Sequence, residues 1–327
     1  MKLKLKVLGL AVAVAGVVVV PVQACDLCAI YSAAQARGEM GKGWFASVAH
    51  QYTHLGTVTE DNVRLPNDER QRLDGNTTQI AAGYNFAEYF GVQLTVPLIH
   101  RSYQRTTDTF GVIENGSVSG LGDLALVANW SPYHHRIKNG VVRWTLLGGV
   151  KLPTGSTARL QEEVDELSAA PIVAPNVESA VHGHDLTLGS GSVDAILGTG
   201  FFASWNRLYF AAGAQYAWRG WGDYGYRFAN DLSWSGGPGV FLVMQEDVMT
   251  VSLQANISGE YKPRDTFNGG KLADTAVKYV YAGPQLGVTW KEKLSAEFGV
   301  DLPILRDASS LQTVPDYRLR AAITLRF

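Results

Sequence analysis

The last eleven residues, YRLRAAITLRF from Tyr317 to Phe327, constrain the fold more than any other stretch. Taken with period two, Tyr317, Leu319, Ala321, Ile323, Leu325 and Phe327 fall on one face. Arg318, Arg320, Ala322, Thr324 and Arg326 fall on the other. A strand of about ten residues crosses a bilayer at a tilt, with its apolar face on lipid and its polar face on the lumen of a barrel. The aromatic residues sit at the two ends of the apolar face, at the level where amphipathic rings favour the headgroups. The competing reading is a half-buried strand of a soluble sandwich.

The same alternation recurs from Trp44 onward. GWFASVAHQYTHL, TTQIAAGYNF, FGVQLTVPL, GDLALVANW, VVRWTLLGGVKL, SVDAILGTGFFASW, LYFAAGAQYAW, the region YRFANDLSWSGGPGVFL, TVSLQANISGEY, VKYVYAGPQLGVTW and LSAEFGVDLPIL precede the final strand. The expected fold is all-β, a transmembrane antiparallel up-and-down barrel of about twelve strands with a short N-terminal periplasmic segment. Short connections are expected at 87–89, 131–140, 206–207, 245–248 and 291–293. Long polar ones are expected at 57–76, 107–119, 153–191, 220–226, 262–276 and 306–316. Short turns alternating with long loops, and an even strand number, are the pattern of an outer-membrane barrel. A soluble up-and-down barrel also alternates, but its outer face is rich in Lys and Glu. Here the less apolar face is mostly Gly, Ser, Thr, Gln and Asn, which suits a wet lumen.

Composition agrees. Charged residues make up only 18% of the 327, and the formal net charge is -2, so no basic excess marks a nucleic-acid partner. Residues 1–24 have the order of a secretory signal peptide: Lys2, Lys4 and Lys6, the apolar run Val7 to Val20, then Val22-Gln23-Ala24 as a cleavage site. Residues 25–43 then form an N-terminal periplasmic or lumen segment, and residues 44–327 the barrel. Cys25 and Cys28, in CDLC, are the only cysteines. A local disulfide is the plainest expectation in an oxidising compartment, and exchange with a periplasmic redox partner or binding of a soft metal is the alternative. A lipid anchor on Cys25 is disfavoured by Gln23. A c-type haem site would need His at position 29, which is Ala.

GLGDLALVANW (Gly120 to Trp130), KLPTGS (Lys151 to Ser156) and GSGSVDAILGTGF (Gly189 to Phe201) resemble the family named for the MetA pathway of phenol degradation. The resemblance implies an outer-membrane barrel that transports small aromatic or apolar solutes. The ending likewise resembles the C-terminal strand of bacterial outer-membrane proteins, whose aromatic last residue helps the assembly machinery recognise them.

The inward phase of the strands selects candidate lumen residues: Asp123, Arg143, Lys151, Asp194, Glu260, Glu297, Asp301, Arg318 and Arg320, with Asp231 and Arg326. Their charges are expected to pair and narrow the passage, or to orient a solute. His182 and His184, in HGHD within the longest loop, are weak metal candidates, and a solvated polar loop is the plainer reading. His50 and His54, and the pair His134-His135, lack a third convergent ligand. With no GxSxG elbow and no Ser–His spacing that would bring a dyad together, no enzyme activity and no cofactor are expected. The expected partners are outer-membrane lipid and a small-molecule solute, and the long loop at 153–191 is expected to cover or gate a mouth.

Overall fold

The computed structural model describes residues 41–107, 112–168, 179–245 and 248–327. Residues 1–40, which include the expected signal peptide and the Cys25–Cys28 motif, lie outside the described residues. Twelve strands form the wall: β1 (Gly43–Glu60), β2 (Arg72–Ala87), β3 (Phe90–Thr107), β4 (Leu124–Ile137), β5 (Gly140–Leu152) and β6 (Asp194–Trp205). They are followed by β7 (Leu208–Trp218), β8 (Asp231–Gln245), β9 (Met249–Lys262), β10 (Val277–Trp290), β11 (Leu294–Ala308) and β12 (Leu311–Arg326). Each pairs antiparallel with its sequence neighbour, and β12 pairs with β1, from Phe45 opposite Arg326 to Glu60 opposite Leu311. That pairing closes the sheet into a barrel and leaves no edge strand in the wall. Among the described residues no helix is long and apolar enough to cross a membrane.

Polarity is arranged inside out. Along β12 the outward Ile323 and Phe327 are exposed, the latter at 70%, while the inward Arg318 and Arg320 are buried. The outer wall shows Leu94, Leu98, Leu126, Leu197, Leu253 and Leu302 to its surroundings, and the inner wall holds Gln, Asn, Ser, Thr and charged residues. Such an outer face is costly in water and matches a hydrocarbon band. Trp44, Phe86, Phe90, Trp205, Trp290 and Phe327 cluster near the end of the barrel that carries the short turns, as a girdle does.

Short turns lie at 88–89, 138–139, 206–207 and 291–293, and β8 ends at Gln245 just before β9 begins at Met249. The connection expected at 131–140 is a tight turn at 138–139, because β4 runs on to Ile137. The opposite end differs more from expectation. The 306–316 stretch is no long loop: β11 and β12 extend past the barrel body and meet in a tight turn at Ser309-Ser310, where Ser310 has φ +57°. Pro315 sits opposite Leu55 at a register irregularity between β12 and β1, one of the few places where a sheet tolerates Pro. Likewise the stretch after Thr107 holds a further strand, Val112–Leu121, paired with the upper half of β3. It leads into β4 through Gly122-Asp123, where the ladder slips from Leu98 opposite Leu121 to Thr95 opposite Ala125. Tyr226–Arg227, expected to begin a wall strand, instead pairs with Thr266–Phe267 in a small separate sheet among the loops.

Candidate functional site

The segment 153–193 joins β5 to β6 at the long-loop end; its described parts are 153–168 and 179–193, and the latter reaches the far side of the mouth. Two helices order it, α1 (Ala158–Ser168) and α2 (Gly183–Leu186). On α1, Leu160 and Glu163 point to the buried side, and the ion pair Arg159–Glu162 lies at 2.6 Å. Val181 and Leu186, both fully buried, pack on the inward-facing Leu73 of β2 and Tyr103 of β3. Burying two such side chains contributes on the order of 1.5–3 kcal/mol each. The backbone is held as well: Thr313 N donates to Ala180 O at 2.9 Å, and Ala180 N donates to Gln71 Oε1 at 2.8 Å. Residues 180–186 of the segment are therefore seated on β1–β3 and β12, and the described parts of 153–193 are called the lid.

Its two roots meet at one ionic network. Lys151 and Asp194 are Cα partners at the ends of β5 and β6. Lys151 Nζ reaches Asp123 Oδ2 at 2.5 Å, Asp194 Oδ2 at 2.8 Å and Ser190 Oγ at 2.6 Å. Arg219, just past β7, reaches Asp194 at 2.8 Å and pairs with Asp231 of β8. Asp123 also accepts from Gly155 N at 3.0 Å and Ser190 N at 2.9 Å, so both roots are tied to the same carboxylate. Glycine is required here. A Cβ on Gly155 would lie 2.6 Å from Leu188 O, and one on Gly189 would lie 2.5 Å from Gly155 O. The three motifs read in the sequence thus converge on the foot of the lid.

Eight of the nine candidate lumen residues lie on the inward phase of wall strands, Asp123 lies in the connection just before β4, and Glu297 is the one that is only half-buried. They are joined along the wall. Arg320 grips Asp301 bidentately at 2.6 and 2.8 Å. Arg318 reaches Glu260 at 2.7 Å and Tyr281 OH at 2.9 Å, with its guanidinium over the Tyr281 ring. Gln285 donates to Glu297 at 3.0 Å. Arg143 stands apart. It is 2% exposed, its Nη2 lies 3.5 Å from His134 Nδ1, and its Nε and Nη1 have no hydrogen-bond partner among the described residues.

Beside Arg143 the inner wall is apolar. Its ladder partner Phe202 packs with Tyr209 and Ala211, and Tyr209 stands 4.8 Å from Phe241, ring centre to ring centre. Higher up, Val127, Leu147 and Ile196 form a second inward cluster. Gln51 Oε1, Gln93 Oε1 and both side-chain polar atoms of Asn129 are buried on the same wall with no partner among the described residues. A separate apolar concavity of about 1140 Å³ lies on the outer wall, between Trp144, Phe201, Phe210 and Ile257.

The loop histidines depart from the sequence reading. His184 is not solvated: it is buried against Glu163, whose Oε1 lies 3.2 Å from Nδ1, with Asp185 at 3.5 Å from Nε2. Burial opposes its charge, but the adjacent Asp185 and Glu163 carboxylates prevail and push its pKa up to about 10. Glu163 is likewise opposed by burial and is held at about 2 by the His184 charge and hydrogen bonds. His182 stacks on His184 at 5.4 Å, and its Nδ1 lies 3.6 Å from Asp274 Oδ2. His134 and His135 lie on β4 rather than in a turn. Neither Glu163 nor Arg219 stood out in the sequence. The one signal for Glu163 is its place on the same helical face as Leu160.

No family model matches the sequence, and no curated protein matches it either. The resemblance to the MetA-pathway family therefore rests on the short motifs alone. A solved structure does share the fold. The COG4313 outer membrane channel from Pseudomonas putida F1 aligns over 88% of this chain and 96% of its own, with a TM-score of 0.61 at 13% identity. The beta domain of the Bordetella autotransporter BrkA covers 88% and 100% at TM-score 0.46 and 9% identity. The translocator domain of autotransporter NalP from Neisseria meningitidis covers 91% and 93% at TM-score 0.44 and 11% identity. The fold is that of an outer-membrane β-barrel.

Proposed function

We propose that this protein is an outer-membrane channel that passes small aromatic or otherwise apolar molecules, closed on its outer side by the lid at 153–193. The observation that carries this reading is the inner wall. It sets polar atoms without protein partners among the described residues (Gln51 Oε1, Gln93 Oε1, both side-chain polar atoms of Asn129, Nε and Nη1 of Arg143) beside inward apolar clusters. Buried polar atoms without protein partners are satisfied by water or by a solute, which suits a passage better than a packed core. The ring cluster of Phe202, Tyr209 and Phe241 gives an aromatic solute a surface of its own kind. Asp123, Arg143, Lys151, Asp194, Glu260, Glu297, Asp301, Arg318 and Arg320 line that passage, mostly as ion pairs that fix its width. The location is the outer membrane, with lipid as the partner of the outer wall. No catalytic role and no cofactor enter this reading.

Uptake into proteoliposomes tests it. An aromatic solute and a polyol of equal size are compared in the native protein and in Phe202→Asn and Phe241→Asn variants. The expected result is a several-fold loss of aromatic uptake with polyol uptake unchanged. Failure of every variant and of the native protein to pass either solute would favour a purely structural barrel.

A further inference from the structure

The lid carries a second constellation that passage itself does not use. Glu163 of α1, His182 at the start of α2 and Asp274 of the 263–276 loop each present one ligand atom, all within 4.8 Å of one another. Two of these atoms, His182 Nδ1 and Asp274 Oδ2, are already 3.6 Å apart. Ligand atoms about 2.1 Å from a tetrahedral zinc ion stand roughly 3.4 Å from each other, so small rotations bring all three into range. From this geometry we propose that Glu163, His182 and Asp274 bind one divalent transition-metal ion of the zinc type, which locks the lid to the neighbouring loop.

Three features favour an ion over a plain ion-pair cluster. First, the ring of His182 is oriented as a ligand is: Nε2 faces the Leu311 carbonyl at 3.3 Å, so a proton donated there leaves the Nδ1 lone pair turned to the carboxylates. Second, Glu163 meets His184 once at each oxygen, Oε1 at 3.2 Å from Nδ1 and Oε2 at 3.2 Å from the backbone N, and each carboxylate oxygen keeps a further lone pair for an ion. Third, the donors come from three segments that share no secondary structure, and an imidazole with two carboxylates suits zinc better than it suits calcium or magnesium, which prefer oxygen alone. A water would complete the coordination.

The ion would join the lid to the loop between β9 and β10, complementing the Lys151 network at the lid's foot. Metal binding does not depend on the channel reading; only its effect on permeation does. The test uses the full chain in detergent with Cys25→Ser/Cys28→Ser, so that no thiolate competes for the metal, stripped with chelator and titrated with zinc by calorimetry. One saturable ion per chain is expected, weakened at least tenfold by His182→Ala and by Asp274→Asn, and unchanged by His135→Ala. Retained heat-modifiable mobility shows that each variant is folded. Absence of saturable binding in the parent, or binding that survives His182→Ala/Asp274→Asn, overturns the site. If zinc binds as expected, it should also slow protease cleavage of the lid, and cleavage that zinc leaves unchanged would refute the lock.

Discussion

Lys151 and Asp194 face each other as Cα partners across the two roots of the lid, with Nζ and Oδ2 2.8 Å apart. Lys151 also holds Asp123, which lies 28 positions earlier in the chain and binds both roots through Gly155 and Ser190. Replacing Lys151 by Met leaves Asp123 without its cation in a buried site. Breaking a buried pair in this way costs about 3–5 kcal/mol. Asp194 keeps Arg219, so the damage falls on the lid roots. Faster protease cleavage within 179–193, with the barrel still folded by gel mobility, is the expected outcome for Lys151→Met.

Two inward arginines should respond oppositely to loss of charge. Arg320 is locked to Asp301, both buried, so Asp301→Ala strands a guanidinium and should destabilise the barrel by about 3–5 kcal/mol in urea unfolding. Arg143 Nε and Nη1 have no hydrogen-bond partner among the described residues and Glu88 acts on the guanidinium only through space, so Arg143→Met removes a weakly compensated buried charge. Its stability should hold or rise, while single-channel selectivity shifts away from anions.

Most of the wall was legible because lipid outside and polar groups inside impose period two on every strand. The terminal strand shows it plainly: Arg318 and Arg320, on its inward phase, are buried. The upper hairpin of β11 and β12 was not legible, since Pro315 reads as a loop breaker until the irregularity opposite Leu55 is seen. The lid foot was half legible. The motifs around Asp123, Lys151 and Asp194 stood out, but their meeting depends on β4, β5 and β6 being neighbours and on Arg219 arriving from beyond β7. Glu163 was hidden, as was the burial of His184, because nothing local reveals that a loop folds back into the barrel mouth.

The Cys25–Cys28 pair, outside the described residues, bears on the rival role in periplasmic redox or metal handling. As a local staple, its replacement by Cys25→Ser/Cys28→Ser should leave folding and permeation unchanged, and the native protein should show no free thiol. Loss of a co-purifying redox partner in the variant would instead support the rival.

Closure of the mouth by the lid is tested most directly by single-channel conductance in planar bilayers. A variant in which a short Gly-Ser link replaces residues 157–187 retains Lys151, Asp123 and Asp194 but lacks α1, α2 and the contacts to Leu73 and Tyr103. Its conductance should exceed that of the native protein several-fold, with gating events lost. Equal, near-zero conductance in both would contradict the claim that 153–193 closes a passage.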